Sequence, residues 1–147
     1  MADEFAEFVS RLTDNARTSL QQAGAIARGY GSSYIGTEHL LLGVLAQGGS
    51  VGAKMLADAN VTLDRAELAL NLRPKTVLIG SGSTGLSETA KLTLKMAWNM
   101  AQEFHQDFLG TEHIIYSLLT QKNARATVLL RDMGIDLEDL RGELEDF

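Results

Sequence analysis

The chain has 147 residues, 45% of them hydrophobic, and a formal net charge of −6. Its length and composition fit one domain with a buried core, and its negative charge argues against a general binder of nucleic-acid backbones. The lack of cysteine excludes disulfides and thiolate sites, and no apolar run approaches the roughly 18 residues of a membrane span, so we expect a cytoplasmic protein with no nucleic-acid or membrane partner.

An internal repeat organises the chain. The sequence GTEH occurs at residues 36–39 and again at 110–113, so that Thr111 follows Thr37 by 74 positions. At this offset the register does not slip between residues 12 and 63, and 14 of the 52 aligned positions are identical. The sequence therefore predicts a tandem duplication, with repeat one at about 12–71, a linker at about 72–85 and repeat two at about 86–144.

Each repeat predicts four helices, eight in all, packed as one all-α domain with pseudo-two-fold symmetry. In the first helices, apolar residues recur at helical spacing across 12–27 and 86–101. Second helices follow the two GTEH sequences, and third helices are expected at 51–59 and 126–133. The residues expected to cap these helices at their N-termini are side chains that accept hydrogen bonds from free backbone amides: Thr13, Thr37 and Thr62 in repeat one, and Ser87, Thr111 and Asp136 in repeat two.

The segment between the repeats has the composition of a linker. It contains the only proline, Pro74, and a run of glycine and serine at its end. Residues 80–87, GSGSTGLS, match a phosphate-binding loop except that Leu86 stands where the lysine is needed, which favours a flexible connection over a nucleotide site. Residues 75–79, KTVLI, fit a short extended segment, but nothing else in the chain predicts a strand to pair with it.

The repeated glutamates are each followed by histidine, as Glu38-His39 and Glu112-His113. Neighbouring residues on a helix point about 100° apart, and no HExxH spacing is present, so we expect each histidine to hydrogen-bond at its helix start rather than to bind a metal. No serine lies in a GxSxG turn either. The sequence therefore predicts a non-catalytic protein without a cofactor.

One helix of repeat two carries Met96, Trp98 and Met100 close together. Methionine and aromatic side chains of this kind form either a groove for a partner or part of the core. Core packing is the interpretation that we favour, because the same helix also supplies the apolar face of its repeat.

The sequences IGTEHLLLGVL at 35–45 and LGTEHIIYSLL at 109–119 carry a family resemblance. With a T-x-x-A or S-x-x-A helix start before each, they resemble the duplicated N-terminal domain of Clp-type AAA+ unfoldases, the ClpC branch in particular, over residues 12–144. The resemblance implies an all-helical domain that sits on a hexameric ATPase ring with its protease and receives client or adaptor proteins. The chain would be such a domain of a longer unfoldase or a stand-alone relative.

The resemblance also implies a ligand, phosphoarginine, which marks proteins for degradation. By motif, its binding residues are Thr37, Glu38, Thr111 and Glu112. A carboxylate accepts paired, charge-assisted hydrogen bonds from a guanidinium, while free amides at a helix start suit the phosphoryl group.

Two features leave alternatives to phosphoarginine binding. The family's glycine-rich GEGVAA is nearly retained as GGSVGA at 48–53, but repeat two has KNARAT at 122–127. The GTEH residues also fit a purely structural role as helix-start architecture. A module that docks adaptors or unmarked, unfolded clients through apolar surface, without phosphoarginine, is the competing function.

Overall fold

Eight helices and one pair of short strands make up the part of the chain, residues 10–70 and 85–146, that the computed structural model describes. In chain order they are α1 (Asp14–Gly29), β1 (Tyr34–Ile35), α2 (Thr37–Gln47), α3 (Val51–Asp58), α4 (Leu63–Leu70), β2 (Gly85–Leu86), α5 (Glu88–Glu103), α6 (Thr111–Thr120), α7 (Arg125–Asp132) and α8 (Leu137–Asp146). The predicted all-α class with four helices in each repeat is confirmed. Most of the predicted linker, including Pro74, the KTVLI segment and the glycines at 80 and 82, lies outside the described residues.

Side-chain caps begin four of the helices as predicted. The hydroxyls of Thr13 and Ser87 accept hydrogen bonds from the amides three residues further on, at 3.1 and 3.0 Å, and so start α1 and α5. Thr62 and Asp136 accept equivalent bonds at 3.3 and 3.1 Å, next to the starts of α4 and α8. Each bond satisfies an amide that has no partner inside its own helix.

Short parallel pairings join the two repeats, which the sequence did not predict. β1 pairs with β2, with Ile35 opposite Leu86. A single bridge between Leu12 and Leu109 is its symmetric equivalent, and there the Leu109 amide donates to the Arg11 carbonyl at 2.8 Å. These pairings were not predicted because segments of two residues are too short to leave an alternating pattern in the sequence.

The core is continuous across the two repeats. Leucines of α2 and isoleucines of α6 pack in one cluster with residues of the other helices. Trp98 belongs to this cluster and is buried, which confirms its place in the core, whereas Met96 and Met100 are half-buried. One apolar cluster therefore contains side chains from both repeats.

Helix α1 packs unusually close to α2 at Gly43. A Cβ atom placed on this glycine would lie 2.3 Å from the carbonyl oxygen of Ser19 and 2.9 Å from the amide nitrogen of Ala23. In repeat two the equivalent position is Ser117, whose hydroxyl donates to the Thr93 carbonyl at 2.8 Å. The same helix contact is therefore made in two ways. In repeat one the position has no side chain, and in repeat two its side chain forms a hydrogen bond across the contact.

Helices α2 and α3 meet at a sharp bend. Gly48 ends α2 with φ at 75°, in the left-handed region that favours glycine, and Ser50 then caps α3 by accepting from the Ala53 amide at 3.1 Å. Together these two helices reach the length and apolar content of a membrane span, with a 94° bend between them. Among residues 10–70 and 85–146, no single helix does so.

Candidate functional site

The two GTEH sequences begin α2 and α6, but not with the cap that was predicted. The N-cap residues are Gly36 and Gly110, and the threonines that follow occupy the first position inside each helix. The prediction that Thr37 and Thr111 cap their own helices is therefore wrong by one residue. The physical reason is that both hydroxyls are committed to the opposite repeat.

Each of these threonines supports a helix start across the repeat boundary. The Thr111 hydroxyl oxygen accepts from the Gly52 amide in α3 at 2.9 Å, and the Thr37 oxygen accepts from the Ala126 amide in α7 at 3.2 Å. All of these groups are buried. The exchange is symmetric, so the motif of one repeat fixes the third helix of the other against it.

Each histidine of the two motifs accepts a hydrogen bond from the N-cap amide of its own helix. The Gly36 amide donates to His39 Nδ1 at 2.9 Å, and the Gly110 amide donates to His113 Nδ1 at the same distance. The prediction that each histidine hydrogen-bonds at its helix start is confirmed. Because Nδ1 accepts, the proton of each neutral ring lies on Nε2, and in His113 that atom lies against the Gln106 side-chain oxygen. Within the described residues, no group of three or more acidic or histidine side chains could hold a metal ion.

Acid should destabilise the fold through these histidines. Burial lowers the pKa of both; Glu38 and Glu112 oppose that shift, and Arg125 adds to it at His39. Below about pH 6.5 the unfolded chain therefore binds more protons at these histidines than the folded chain does. Their contribution to the free energy of unfolding is complete above that pH and is lost as the pH drops. We expect the urea midpoint to decrease from about pH 7.5 to about pH 5.

A double variant, His39→Asn with His113→Asn, provides the control for this pH effect. The asparagine oxygen accepts the same amide hydrogen bond but does not titrate in this range. Its urea midpoint should change much less between the two pH values. An equal pH dependence in the variant and the wild type would show that other groups carry the effect.

Glu38 is a buried carboxylate with one oxygen in an ion pair and the other folded against Gly36. It is 5% exposed, and its Oε2 lies 3.2 Å from Nε of Arg125, in repeat two. Among residues 10–70 and 85–146 its Oε1 has no hydrogen-bond partner, and a Cβ on Gly36 would lie 2.4 Å from that oxygen. The glycine before Thr37 therefore makes room for a carboxylate that folds back over the helix start.

A cavity of about 530 Å³ opens beside Glu38. We call this cavity site one; it is formed by Tyr34, Thr37 and Glu38 of repeat one and by two segments of repeat two. Those segments are the start of α5 and the turn from α6 to α7: Ser87, Thr89, Leu92, Gln121, Lys122, Asn123, Ala124 and Arg125. The predicted residues Thr37 and Glu38 thus lie together in one cavity.

Glu112 occupies the symmetric position and has different neighbours. Its carboxylate also folds back over its glycine, since a Cβ on Gly110 would lie 2.4 Å from Oε1. It is half-buried, and in the described parts of the chain it has no ion-pair partner. The residue equivalent to Arg125 is Val51, at the start of α3. We call Thr111 and Glu112, with the start of α3, site two.

Glu112 also contributes to a smaller cavity of about 210 Å³ with Phe104 and Tyr116. The two predicted glutamates therefore line separate cavities and do not form a joint site. Arg125 and Lys122 at site one were not predicted. The signal that could have revealed them is their place in the repeat, because the equivalent residues in repeat one are Val51 and Gly48.

A family profile matches nearly the whole chain. The family described as "Clp repeat (R) N-terminal domain" matches residues 11–81 and 85–147. The chain belongs to this family, and it is homologous to the N-terminal regions of Clp ATPases.

The curated relatives that the chain matches are much longer than the chain itself. It is 32% identical over 133 residues to the ATP-dependent Clp protease ATP-binding subunit ClpA homolog of Trieres chinensis, a match that covers 89% of this chain and 15% of that protein. It is 29% identical over 139 residues to the subunit ClpC of Staphylococcus epidermidis, with 91% of this chain and 16% of that protein covered. The chain thus spans about one-sixth of the length of these relatives.

Solved structures share the fold. The N-terminal domain of ClpD from Arabidopsis thaliana superposes with a TM-score of 0.77 at 20% identity, covering 93% of this chain and 94% of that one. The Hsp104 N-terminal domain from Candida albicans gives 0.73 at 16% identity, covering 90% and 88%. A complex of the ClpV N-domain with a VipB peptide gives 0.71 at 20% identity, covering 95% and 90%.

Proposed function

We propose that the chain is a receptor domain of Clp-type protein quality control, which binds client or adaptor proteins and performs no catalysis itself. Two findings support this: the family to which it belongs, and the likeness of its fold to a ClpV N-domain in complex with a peptide. ATP hydrolysis and proteolysis would belong to an associated ATPase ring and protease. We place this work in the cytoplasm, because a chain without cysteine needs no oxidising compartment.

The ligand that we propose is phosphoarginine on client proteins, bound by Glu38 and Glu112 with Thr37 and Thr111 beside them. The observation that carries the proposal is the buried carboxylate of Glu38, which lines the cavity of site one and whose Oε1 has no partner in the part of the chain that the structure describes. A buried charge with an unsatisfied oxygen is unfavourable unless a ligand completes it. A planar guanidinium with two parallel N–H groups is the cation that best fits two carboxylate oxygens.

The surroundings of Glu38 also suit the phosphoryl half of this ligand. Ser87 and Thr89 offer hydroxyls, Asn123 offers an amide and Lys122 offers a positive charge, all at the same cavity. These donors lie within one pocket with the carboxylate, so a single side chain carrying a positive and a negative group would satisfy both. Plain arginine has no phosphoryl group to accept from the hydroxyl, amide and ammonium donors of the cavity. Phosphoserine has no guanidinium to pair with the carboxylate.

Calorimetric titration of free phosphoarginine tests the proposal. We expect two sites in the wild type, one site in Glu38→Ala and in Glu112→Ala, and no binding in the double variant. Loss of the paired hydrogen bonds should weaken each affected site at least about tenfold. Glu138→Ala is the matched control, because that side chain is 83% exposed, outside both sites, and its loss changes the net charge equally.

Circular dichroism must show that each variant is folded. Absence of phosphoarginine binding to the folded wild type would contradict the proposed ligand. Titration with free arginine and with phosphoserine then shows whether both halves of the ligand are required, and either one binding as tightly as phosphoarginine would also count against it.

A second candidate function is docking of an apolar protein segment, favoured by two exposed side chains at site one. Tyr34 is 44% exposed and Leu92 is 49% exposed, and both line the cavity. Large apolar side chains at the edge of a cavity are typical anchor positions for a partner. Client binding that survives the double glutamate variant but is lost in Tyr34→Ala with Leu92→Ala would favour this function.

A further inference from the structure

The two sites differ in one charged contact, although their motifs are identical. In site one, Glu38 is held by Arg125, whereas at site two the residue in the place of Arg125 is Val51 and Glu112 has no ion-pair partner among residues 10–70 and 85–146. Both residues begin the third helix of their repeat, α7 and α3. The threonine contacts to the residues that follow them, Gly52 and Ala126, are symmetric, so the difference lies in the side chains and not in the backbone.

We propose that Arg125 is a built-in competitor at site one: its guanidinium pairs with Glu38 where the guanidinium of a client's phosphoarginine would bind. Site one is therefore the weaker of the two sites, and site two is the open one. This inference rests on the proposed function, because it assigns unequal affinities to the two glutamates named there.

The geometry of the contact makes Arg125 a displaceable competitor. Its Nε lies 3.2 Å from Oε2 of Glu38, while Oε1 has no partner among the described residues. The Arg125 side chain is 67% exposed, so it can swing into solvent without opening the core. Oε1 is buried against Gly36, so a ligand pairs with both oxygens only once the carboxylate turns toward the cavity. It then replaces a one-sided contact by a two-sided one, which is the stronger arrangement.

Displacement still weakens binding at site one. A ligand there must break the existing pair and leave Arg125 solvated, whereas a ligand at site two meets a carboxylate with no such pair to break. Arg125 also faces the incoming guanidinium with a charge of the same sign. Both effects reduce the affinity of site one relative to site two.

The repeat supplies a matched pair of substitutions, Arg125→Val and Val51→Arg, each of which gives one repeat the residue of the other. To observe one site at a time, phosphoarginine is titrated calorimetrically into the full chain in the Glu112→Ala background for site one and in the Glu38→Ala background for site two. We expect Arg125→Val to strengthen site one about tenfold and Val51→Arg to weaken site two about tenfold.

Each outcome decides the inference separately from the proposed function. If phosphoarginine binds the wild type but Arg125→Val leaves site one unchanged or weaker, the function stands and the inference is overturned. If the wild type does not bind but Arg125→Val gains a site that Glu38→Ala removes, the competitor role stands and the wild-type function does not. Failure of every folded variant to bind overturns both.

Folding is not expected to obscure this test. Valine already begins α3 at the position equivalent to 125, Arg125 is largely exposed and Val51 is only half-buried, so neither substitution falls at a fully buried core position. If one variant does fail to fold, the other still tests the inference, because the two predict opposite changes at different sites.

Discussion

Replacement of Gly43 by alanine should destabilise the fold by about 1–3 kcal/mol or more, because the added methyl group has no space. It would lie 2.3 Å from the Ser19 carbonyl oxygen and 2.9 Å from the Ala23 amide nitrogen, and both are backbone atoms of a helix. Backbone cannot move aside as a flexible side chain can, so α1 and α2 must separate. Urea denaturation followed by circular dichroism measures the loss.

The control for this prediction is the equivalent position in repeat two. Ser117→Ala removes the hydrogen bond to the Thr93 carbonyl without adding any volume, so we expect a smaller loss, of about 1 kcal/mol. If Gly43→Ala proved as stable as the wild type, the close approach of α1 to α2 would not be a feature of the folded protein.

Substitution of Thr111 by valine should destabilise the fold by about 1–3 kcal/mol, because it leaves a buried amide without an acceptor. The amide is that of Gly52, which donates to the threonine hydroxyl at 2.9 Å. Valine has nearly the same shape as threonine, so the packing is conserved and the measured change reports the lost hydrogen bond. Thermal unfolding and urea denaturation both measure it.

Thr111→Ser retains the hydroxyl and loses only a methyl group, so its stability should lie closer to that of the wild type. Thr37→Val tests the symmetric bond, which is longer at 3.2 Å, and should have a similar or smaller effect. Equal stability of Thr111→Val and the wild type would mean that the cross-repeat hydrogen bond contributes nothing net.

The helices could be predicted from the sequence because their evidence is local. Apolar spacing along α1 and α5, and capping side chains such as Thr13 and Asp136, act over a few residues and are visible within one segment. Strand β1 could not be predicted, since it has two residues and its partner lies in the other repeat. The N-caps of α2 and α6 were predicted one residue too late. A threonine hydroxyl that bonds to a distant helix looks the same in sequence as one that caps its own helix.

In the candidate site, too, local features could be predicted from the sequence and contacts between distant segments could not. The repeated motif makes Glu38 a candidate from the sequence. The structure shows that its carboxylate is buried and that one of its oxygens has no partner within residues 10–70 and 85–146. Arg125 could not be assigned to it, because the ion pair joins two repeats and a contact between distant segments leaves no local pattern. Comparison of the two repeats position by position is the only sequence evidence for it, and that comparison predicts a difference rather than a contact.

Site one is formed by residues of both repeats, and this determines when it can form during synthesis of the chain. Its wall includes residues 121–125, so a ribosome that has made α1 to α4 has produced Glu38 but not the cavity beside it. A growing chain therefore carries no finished cavity of this kind until most of repeat two has emerged. The arrangement delays binding of any ligand at site one until residues 121–125 have been synthesised.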